Sequence, residues 1–106
     1  MGTSTQLLII GIGGHVVAID PASGDEVWRT KLKRSDFVTV SPAGSVVFAG
    51  AGGELFCLDA TGGQILWHNK LKGLGNGLVT FTSSGEDAAV AALIAKRRAA
   101  AAAAVA

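Results

Sequence analysis

The sequence predicts an all-β protein built from two copies of one repeat. Residues 8–33 and 47–72 align without a gap at an offset of 39 positions. Each copy contains short apolar runs, rich in β-branched side chains and separated by Gly, Asp and Pro. Short runs at regular spacing, with turn residues between them, are typical of an antiparallel meander. The identical pairs are Gly11/Gly50, Gly13/Gly52, Gly14/Gly53, Asp20/Asp59, Gly24/Gly63, Trp28/Trp67, Lys31/Lys70, Leu32/Leu71 and Lys33/Lys72.

The apolar runs of each copy predict three consecutive strands. Asp20 and Gly24 bound the turn between the second and third strands of the first copy, because an Asp side chain accepts from nearby backbone amides and Gly adopts positive φ. Glycine-rich turns separate the first and second strands. The predicted strands are Leu7–Ile10, His15–Asp20 and Glu26–Leu32 in the first copy, and Val46–Ala49, Glu54–Asp59 and Gln64–Leu71 in the second.

Two further runs complete a four-stranded unit. Phe37–Val40 lies between the copies, and Leu78–Thr82 follows the second copy. A period of about 40 residues with four strands is typical of a β-propeller blade. With strands named A to D from the channel outward, residues 7–82 read BCD–ABCD–A, which is two blades' worth of strands.

Two blades cannot close a ring, so the order of strands bears on assembly. Strand A of one protomer is expected to complete the BCD blade of the next, which satisfies the unpaired backbone of both. Such head-to-tail contacts close into a homo-oligomer with an even number of blades, six in a trimer or eight in a tetramer. A fragment of a longer propeller that does not fold alone is the competing interpretation.

The spacing of four residues resembles a known motif. Ala18, Asp20, Gly24 and Trp28 are similar to the tryptophan-docking motif of quinoprotein (pyrroloquinoline quinone)-like β-propeller repeats. The resemblance implies that these side chains dock neighbouring blades, and the family's common eight-bladed form favours a tetramer over a trimer. The second copy repeats the motif as Cys57, Asp59, Gly63 and Trp67, with Cys57 where the family favours Ala.

The resemblance does not extend to a cofactor. The quinone-dependent dehydrogenases of this fold hold their cofactor with a vicinal Cys-Cys disulfide, a stacking Trp and a calcium ion with acidic ligands. This chain has one Cys, and its two Trp residues both belong to the docking motif. We therefore expect no cofactor and no metal, and no catalytic residue is predicted. Gly11-x-Gly13-Gly14 predicts a hairpin rather than a dinucleotide site, because no helix follows and the pattern recurs at Gly50–Gly53.

Two sets of basic residues are candidates for an anion-binding rim. Residues two apart on a strand share a face, so the predicted third strand of each copy would carry a basic face. Lysines that protect edge strands against aggregation are the alternative interpretation. A net charge of +1 gives no general attraction for nucleic acid, and none is expected as a partner. The candidate rim residues are Arg29, Lys31 and Lys33 in the first copy and Lys70 and Lys72 in the second.

The ends of the chain differ from the repeats. Residues 1–6 are predicted to form an N-terminal tail, and 83–106 an Ala-rich tail that is helical from Ala88, with one more strand over Ala88–Ala95 as the alternative. No apolar run reaches the length of a membrane span and no basic leader precedes Leu7, so a cytoplasmic protein without a membrane partner is expected. The sequence favours a non-enzymatic propeller scaffold or binding module. A quinone- or metal-dependent enzyme built at the ring channel is the alternative.

Overall fold

The computed structural model describes residues 6–33 and 37–81, which form two antiparallel sheets. The all-β prediction is confirmed for these residues. Sheet one has the order β1-β2-β3 and sheet two the order β4-β5-β6-β7, so they correspond to the predicted BCD and ABCD groups. The strands are β1 (Leu8–Ile12), β2 (His15–Ile19), β3 (Glu26–Lys31), β4 (Val38–Ala43), β5 (Val46–Ala51), β6 (Glu54–Asp59) and β7 (Ile65–Asn69).

The repeated glycine pairs form the tight turns of two hairpins. Gly13 and Gly14 join β1 to β2 with φ values of 56° and 76°, and Gly52 and Gly53 join β5 to β6 with 59° and 75°. Two consecutive residues at positive φ define the turn whose twist matches that of the flanking strands, and glycine adopts it without steric cost. The predicted hairpin is confirmed, since a strand and not a helix follows each pair.

The repeated Asp and Gly residues form the second type of turn. The Oδ1 atom of Asp20 accepts from the Ala22 amide at 2.9 Å, and the Asp20 carbonyl accepts from the Gly24 amide at 2.7 Å. Asp59 makes the same two bonds with Thr61 and Gly63, at 2.9 and 2.8 Å. These bonds satisfy the backbone where the chain reverses between β2 and β3 and between β6 and β7.

The main hydrophobic core lies between the two sheets. Val16 of sheet one is fully buried against Val47, Phe56 and Leu58 of sheet two, with Trp28 at its border. A second cluster lies on the opposite face of sheet two and consists of Val46, Phe48 and Cys57, with Trp67 and Phe81 packed against it. Buried residues of β5 thus lie on both faces of sheet two, whereas Leu8, Ile10 and Ile12 are exposed on the outer face of sheet one.

Two elements differ from their predicted form. β4 continues through Pro42 to Ala43, because it pairs with β5 alone and an edge strand tolerates the missing amide of proline. The prediction of a strand over Leu78–Thr82 is wrong for residues 78–81, which have no strand structure, and Thr82 lies outside the described residues. An extended segment becomes a strand only when a neighbouring backbone pairs with it, and no described strand lies beside this one in a sheet.

The two tails cannot be compared with their predictions in full. The N-terminal tail is described only at Gln6, and the predicted Ala-rich helix lies outside the described residues. Within residues 6–33 and 37–81, no helix is long and apolar enough to span a membrane.

Candidate functional site

Trp28 connects the two sheets. It lies in β3 of sheet one, and its indole Nε1 donates to the carbonyl of Ala60, in the turn after β6, at 3.0 Å. Two residues later, the Thr30 hydroxyl donates to the Gly63 carbonyl at 2.6 Å. A side chain at Gly63 would meet the indole ring, with its Cβ 2.5 Å from Cε3. We call this contact, formed by Trp28 and Thr30 against the Ala60–Gly63 turn, the seam.

An ionic cluster lies along the same boundary. The Glu54 carboxylate of β6 accepts from the Lys33 ammonium of the first copy at 2.6 Å, and from the Nε2 atom of His68 at 2.5 Å. Lys33 first, and then His68, lower the pKa of Glu54 from its usual value of 4.5. The carboxylate thus stays ionised at neutral pH and holds the end of the first copy to the beginning of β6. The His68 ring also stacks on Phe56, with centroids 4.2 Å apart.

The second copy contains the equivalent docking residues, but among the described residues no equivalent turn contacts them. Trp67 packs against Phe48, with ring centroids 6.1 Å apart, on the face of sheet two directed away from sheet one. Its Nε1 atom makes no hydrogen bond to any residue that the structure describes. Gly24, the equivalent of Gly63, is exposed, and a Cβ there would meet no atom within 4 Å. Both halves of a second seam are therefore present in one chain, at opposite ends of it.

Repeat-equivalent apolar positions on β1 and β5 also differ in burial. Val47, Ala49 and Ala51 of β5 are between 0% and 2% exposed, because this face of sheet two packs on sheet one. The residues 39 positions earlier lie on the outer face of sheet one and are 53%, 36% and 60% exposed. We call this surface, formed by Leu8, Ile10 and Ile12, the open face.

The segment before residue 82 lies against sheet two. Thr39 of β4 donates its hydroxyl to the Val79 carbonyl at 2.7 Å, and a Cβ at Gly50 would overlap the Val79 side chain. Gly11, the repeat equivalent of Gly50, has the same relation to Val38 of β4. Residues 78–81 therefore pack on β5 much as β4 packs on β1.

The structure separates the candidate rim residues. β3 ends at Lys31 and β7 at Asn69, so Lys33, Lys70 and Lys72 lie beyond the strands whose alternation would place them on one face. Lys33 binds Glu54, and Arg29 donates from Nε and Nη2 to the two carboxylate oxygens of Glu26, both at 2.7 Å. Arg29 and Lys31 remain two residues apart on β3.

The other side chains considered from sequence show structural roles. Cys57, the repeat equivalent of Ala18, is fully buried in β6, and burial raises the pKa of its thiol to about 11. Among the residues that the structure describes, no three His, Cys, Asp or Glu side chains lie close enough to hold a metal ion. Sequence analysis missed Glu54 and Thr30. Glu54 could have been found by comparing the two copies, since it places an acid where the first copy has His15.

Comparison with known proteins supports the family resemblance. A family model of pyrroloquinoline quinone-like repeats, described as outer membrane protein assembly factor BamB, matches residues 13–101. No curated protein matches the chain. The matched segment includes both tryptophans and most of the strands described above. The chain belongs to the pyrroloquinoline quinone-like β-propeller repeat family.

Proposed function

We propose that this chain is a non-enzymatic propeller-type scaffold that assembles head to tail with copies of itself. In this assembly, the face of sheet two that carries Trp67 packs on the open face of the next protomer, just as the face of sheet one that carries Trp28 packs on sheet two. The burial of equivalent positions supports the proposal most directly: Val47, Ala49 and Ala51 are buried between sheets, whereas Leu8, Ile10 and Ile12 are exposed. Exposed apolar groups in a contiguous patch mark an interaction surface.

The unused docking residues support the same arrangement. If the seam repeats between protomers, the Trp67 indole donates to the neighbour's Pro21 carbonyl, the equivalent of Ala60. Asn69 takes the place of Thr30, and its amide group can donate to the neighbour's Gly24 carbonyl. Gly24 already has the φ of 81° that Gly63 has at 82°, so the turn is formed before the neighbour docks.

The edges of the sheets supply a third argument. β1 pairs with β2 alone, so its other edge presents backbone donors and acceptors without a strand partner among the described residues. Residues 78–81 lie against β5 of the same chain and in no sheet. In the assembly they become strand A of the neighbour's BCD blade. This pairing protects an edge that would otherwise favour aggregation.

The apolar contact is large enough to contribute substantially. The exposed fractions of Leu8, Ile10 and Ile12 together correspond to about one and a half aliphatic side chains. Their burial contributes about 2–4 kcal/mol at each junction, before the neighbour's apolar surface is counted. Because each protomer contributes two blades, closed rings have six or eight blades, and we favour the tetramer with eight. The family description names an assembly factor, and a ring that binds other proteins without catalysis is consistent with that description.

The assembly is tested by the molar mass of the purified chain, measured by light scattering during size-exclusion chromatography. We expect a tetramer at micromolar concentration. Leu8→Glu places a carboxylate on the open face and is expected to give a folded monomer. Ile65→Glu is the matched control, since Ile65 is also about half exposed, and its repeat equivalent is the exposed Glu26; this variant should remain a tetramer. A natural chain that is a folded monomer at all concentrations would reject the proposal.

A further inference from the structure

The residues of the ionic cluster at the seam differ in charge from their equivalents in the other copy of the repeat. Within the chain, the cluster consists of Lys33, Glu54 and His68. Their repeat equivalents are Lys72, His15 and Arg29, respectively. His15 therefore has the place of the Glu54 carboxylate. A junction that repeats the seam between two protomers brings basic side chains together where the seam has an ion pair.

Sheet one places two of these basic groups, His15 and Arg29, on one face together with Lys31. His15 lies opposite Lys31 in the register of β2 and β3, and Arg29 is two residues before Lys31. The His15 Nδ1 atom donates to the Gly13 carbonyl at 2.8 Å, so Nε2 is the ring nitrogen left to contact a ligand. Glu26 faces the same group, but both of its oxygens accept from Arg29. The positive charge of Lys31 is therefore left to attract another anion.

We propose that each junction between protomers binds a small oxyanion, such as inorganic phosphate, held by His15, Lys31 and the remaining guanidinium nitrogen of Arg29 of one protomer and by Lys72 of its neighbour. This inference rests on the head-to-tail assembly proposed above. The anion takes the place that the Glu54 carboxylate has at the seam and bridges the two protomers with charge-assisted hydrogen bonds. Lys72 follows β7 by three residues and is exposed, so its ammonium can approach the site.

This site differs from a basic rim in number and composition. A rim would bind anions at every outer strand, whereas the junction site occurs once per protomer and requires side chains from two neighbouring protomers. It also requires His15, which is not part of the alternating basic residues. Since the basic groups repel one another as the protomers approach, the anion is expected to strengthen association.

The test compares assembly in phosphate and in chloride of matched ionic strength, using light scattering over a range of protomer concentrations. Phosphate should lower the concentration at half-assembly by about tenfold, which corresponds to one charge-assisted bridge. His15→Glu supplies the missing carboxylate, so this variant should assemble in chloride as the natural chain does in phosphate, and should respond less than about twofold to phosphate. Gln64→Glu also introduces a carboxylate, but at the end of sheet two opposite to Glu54. This variant should keep the full phosphate response.

The outcomes separate the anion site from the assembly. Equal assembly of the natural chain in both salts, with His15→Glu behaving as Gln64→Glu does, overturns the anion site and leaves the assembly intact. A monomeric natural chain in both salts rejects the assembly, and the anion site with it. A phosphate response that Gln64→Glu keeps and His15→Glu loses supports both.

Discussion

The two tryptophans allow the fold of one protomer to be separated from its assembly. Trp28 and Trp67 occupy the same place in the repeat, but Trp28 is docked on the Ala60–Gly63 turn and Trp67 has no such turn to contact within its chain. Trp28→Ala should therefore destabilise the protomer. Trp67→Ala should leave the protomer folded and weaken the junction between protomers.

The magnitudes follow from the contacts. Removal of a buried Trp costs about 3–5 kcal/mol, and the half-buried Trp28 should lose about half of its packing contribution together with one hydrogen bond, about 2–3 kcal/mol in all. For a domain of this size, such a loss lowers the melting temperature by roughly 10–20 °C. Trp67 is also partly buried, against Val46, Phe48 and Cys57, but it makes no hydrogen bond to a turn among the described residues, so its removal should cost the isolated protomer less, about 1–2 kcal/mol.

The assay measures unfolding and mass on the same samples. Thermal melts are recorded by circular dichroism at a protomer concentration below that of assembly, and molar mass is recorded above it. Leu8→Glu provides a monomeric background in which the effect of each tryptophan on the fold is measured without the junction. Equal loss of protomer stability in the two variants, or a Trp67→Ala chain that still forms the full oligomer, would refute the reasoning.

Three further predictions concern the turns, the ionic cluster and the thiol. Gly63→Ala should destabilise the protomer by about 1 kcal/mol more than Gly24→Ala, since both positions have positive φ but only Gly63 lies against Trp28; urea unfolding of the monomer measures the difference. Because its partners lower the pKa of Glu54, the stabilisation by this ionised group is complete above the unfolded value of 4.5 and is lost as the pH falls through the folded value. The melting temperature of Glu54→Gln should therefore be lower than that of the natural chain at pH 7, and the two should converge in acid. Cys57, with its thiol fully buried and its pKa raised to about 11, should react with a thiol reagent only after addition of denaturant; rapid reaction in the native state would contradict the packing of β6.

The strands could be predicted from sequence because each is bounded by residues with a specific backbone role. Glycine pairs set the ends of β1 and β5, and Asp20 and Asp59 set the ends of β2 and β6. The observed bounds still differ from the predicted ones, since β1 ends at Ile12 and β5 at Ala51, each two residues later than predicted. β3 and β7 end earlier than predicted, because the alternation continues in the sequence after the backbone has left the sheet. The strand predicted over Phe37–Val40 extends three residues further, to Ala43, before the turn at Gly44.

The contacts between sheets could not be predicted in the same way. The resemblance identified Trp28 as a docking residue, but Thr30 and Glu54 depend on which atoms meet across two sheets, and no local pattern encodes that. The separation of the basic residues has a similar cause. Lys33 was grouped with Arg29 by alternation, yet the chain turns toward β6 after Lys31, and its ammonium then lies beside a carboxylate.

The seam and the proposed junction have the same architecture but respond differently to concentration. A linker of a few residues between Lys33 and Val38 joins the sheets that meet at the seam, so their effective concentration is on the order of millimolar or higher. The junction receives no such help and forms only when protomers are concentrated. Dilution should therefore dissociate the ring into two-sheet protomers in which Trp28 stays docked, while the environment of Trp67 changes. Tryptophan fluorescence of Trp28→Phe and Trp67→Phe variants distinguishes the two: only the chain that retains Trp67 should change its emission on dilution. A parallel change at Trp28 would mean that the seam itself depends on the neighbour, and the two-sheet unit would then not be the unit of assembly.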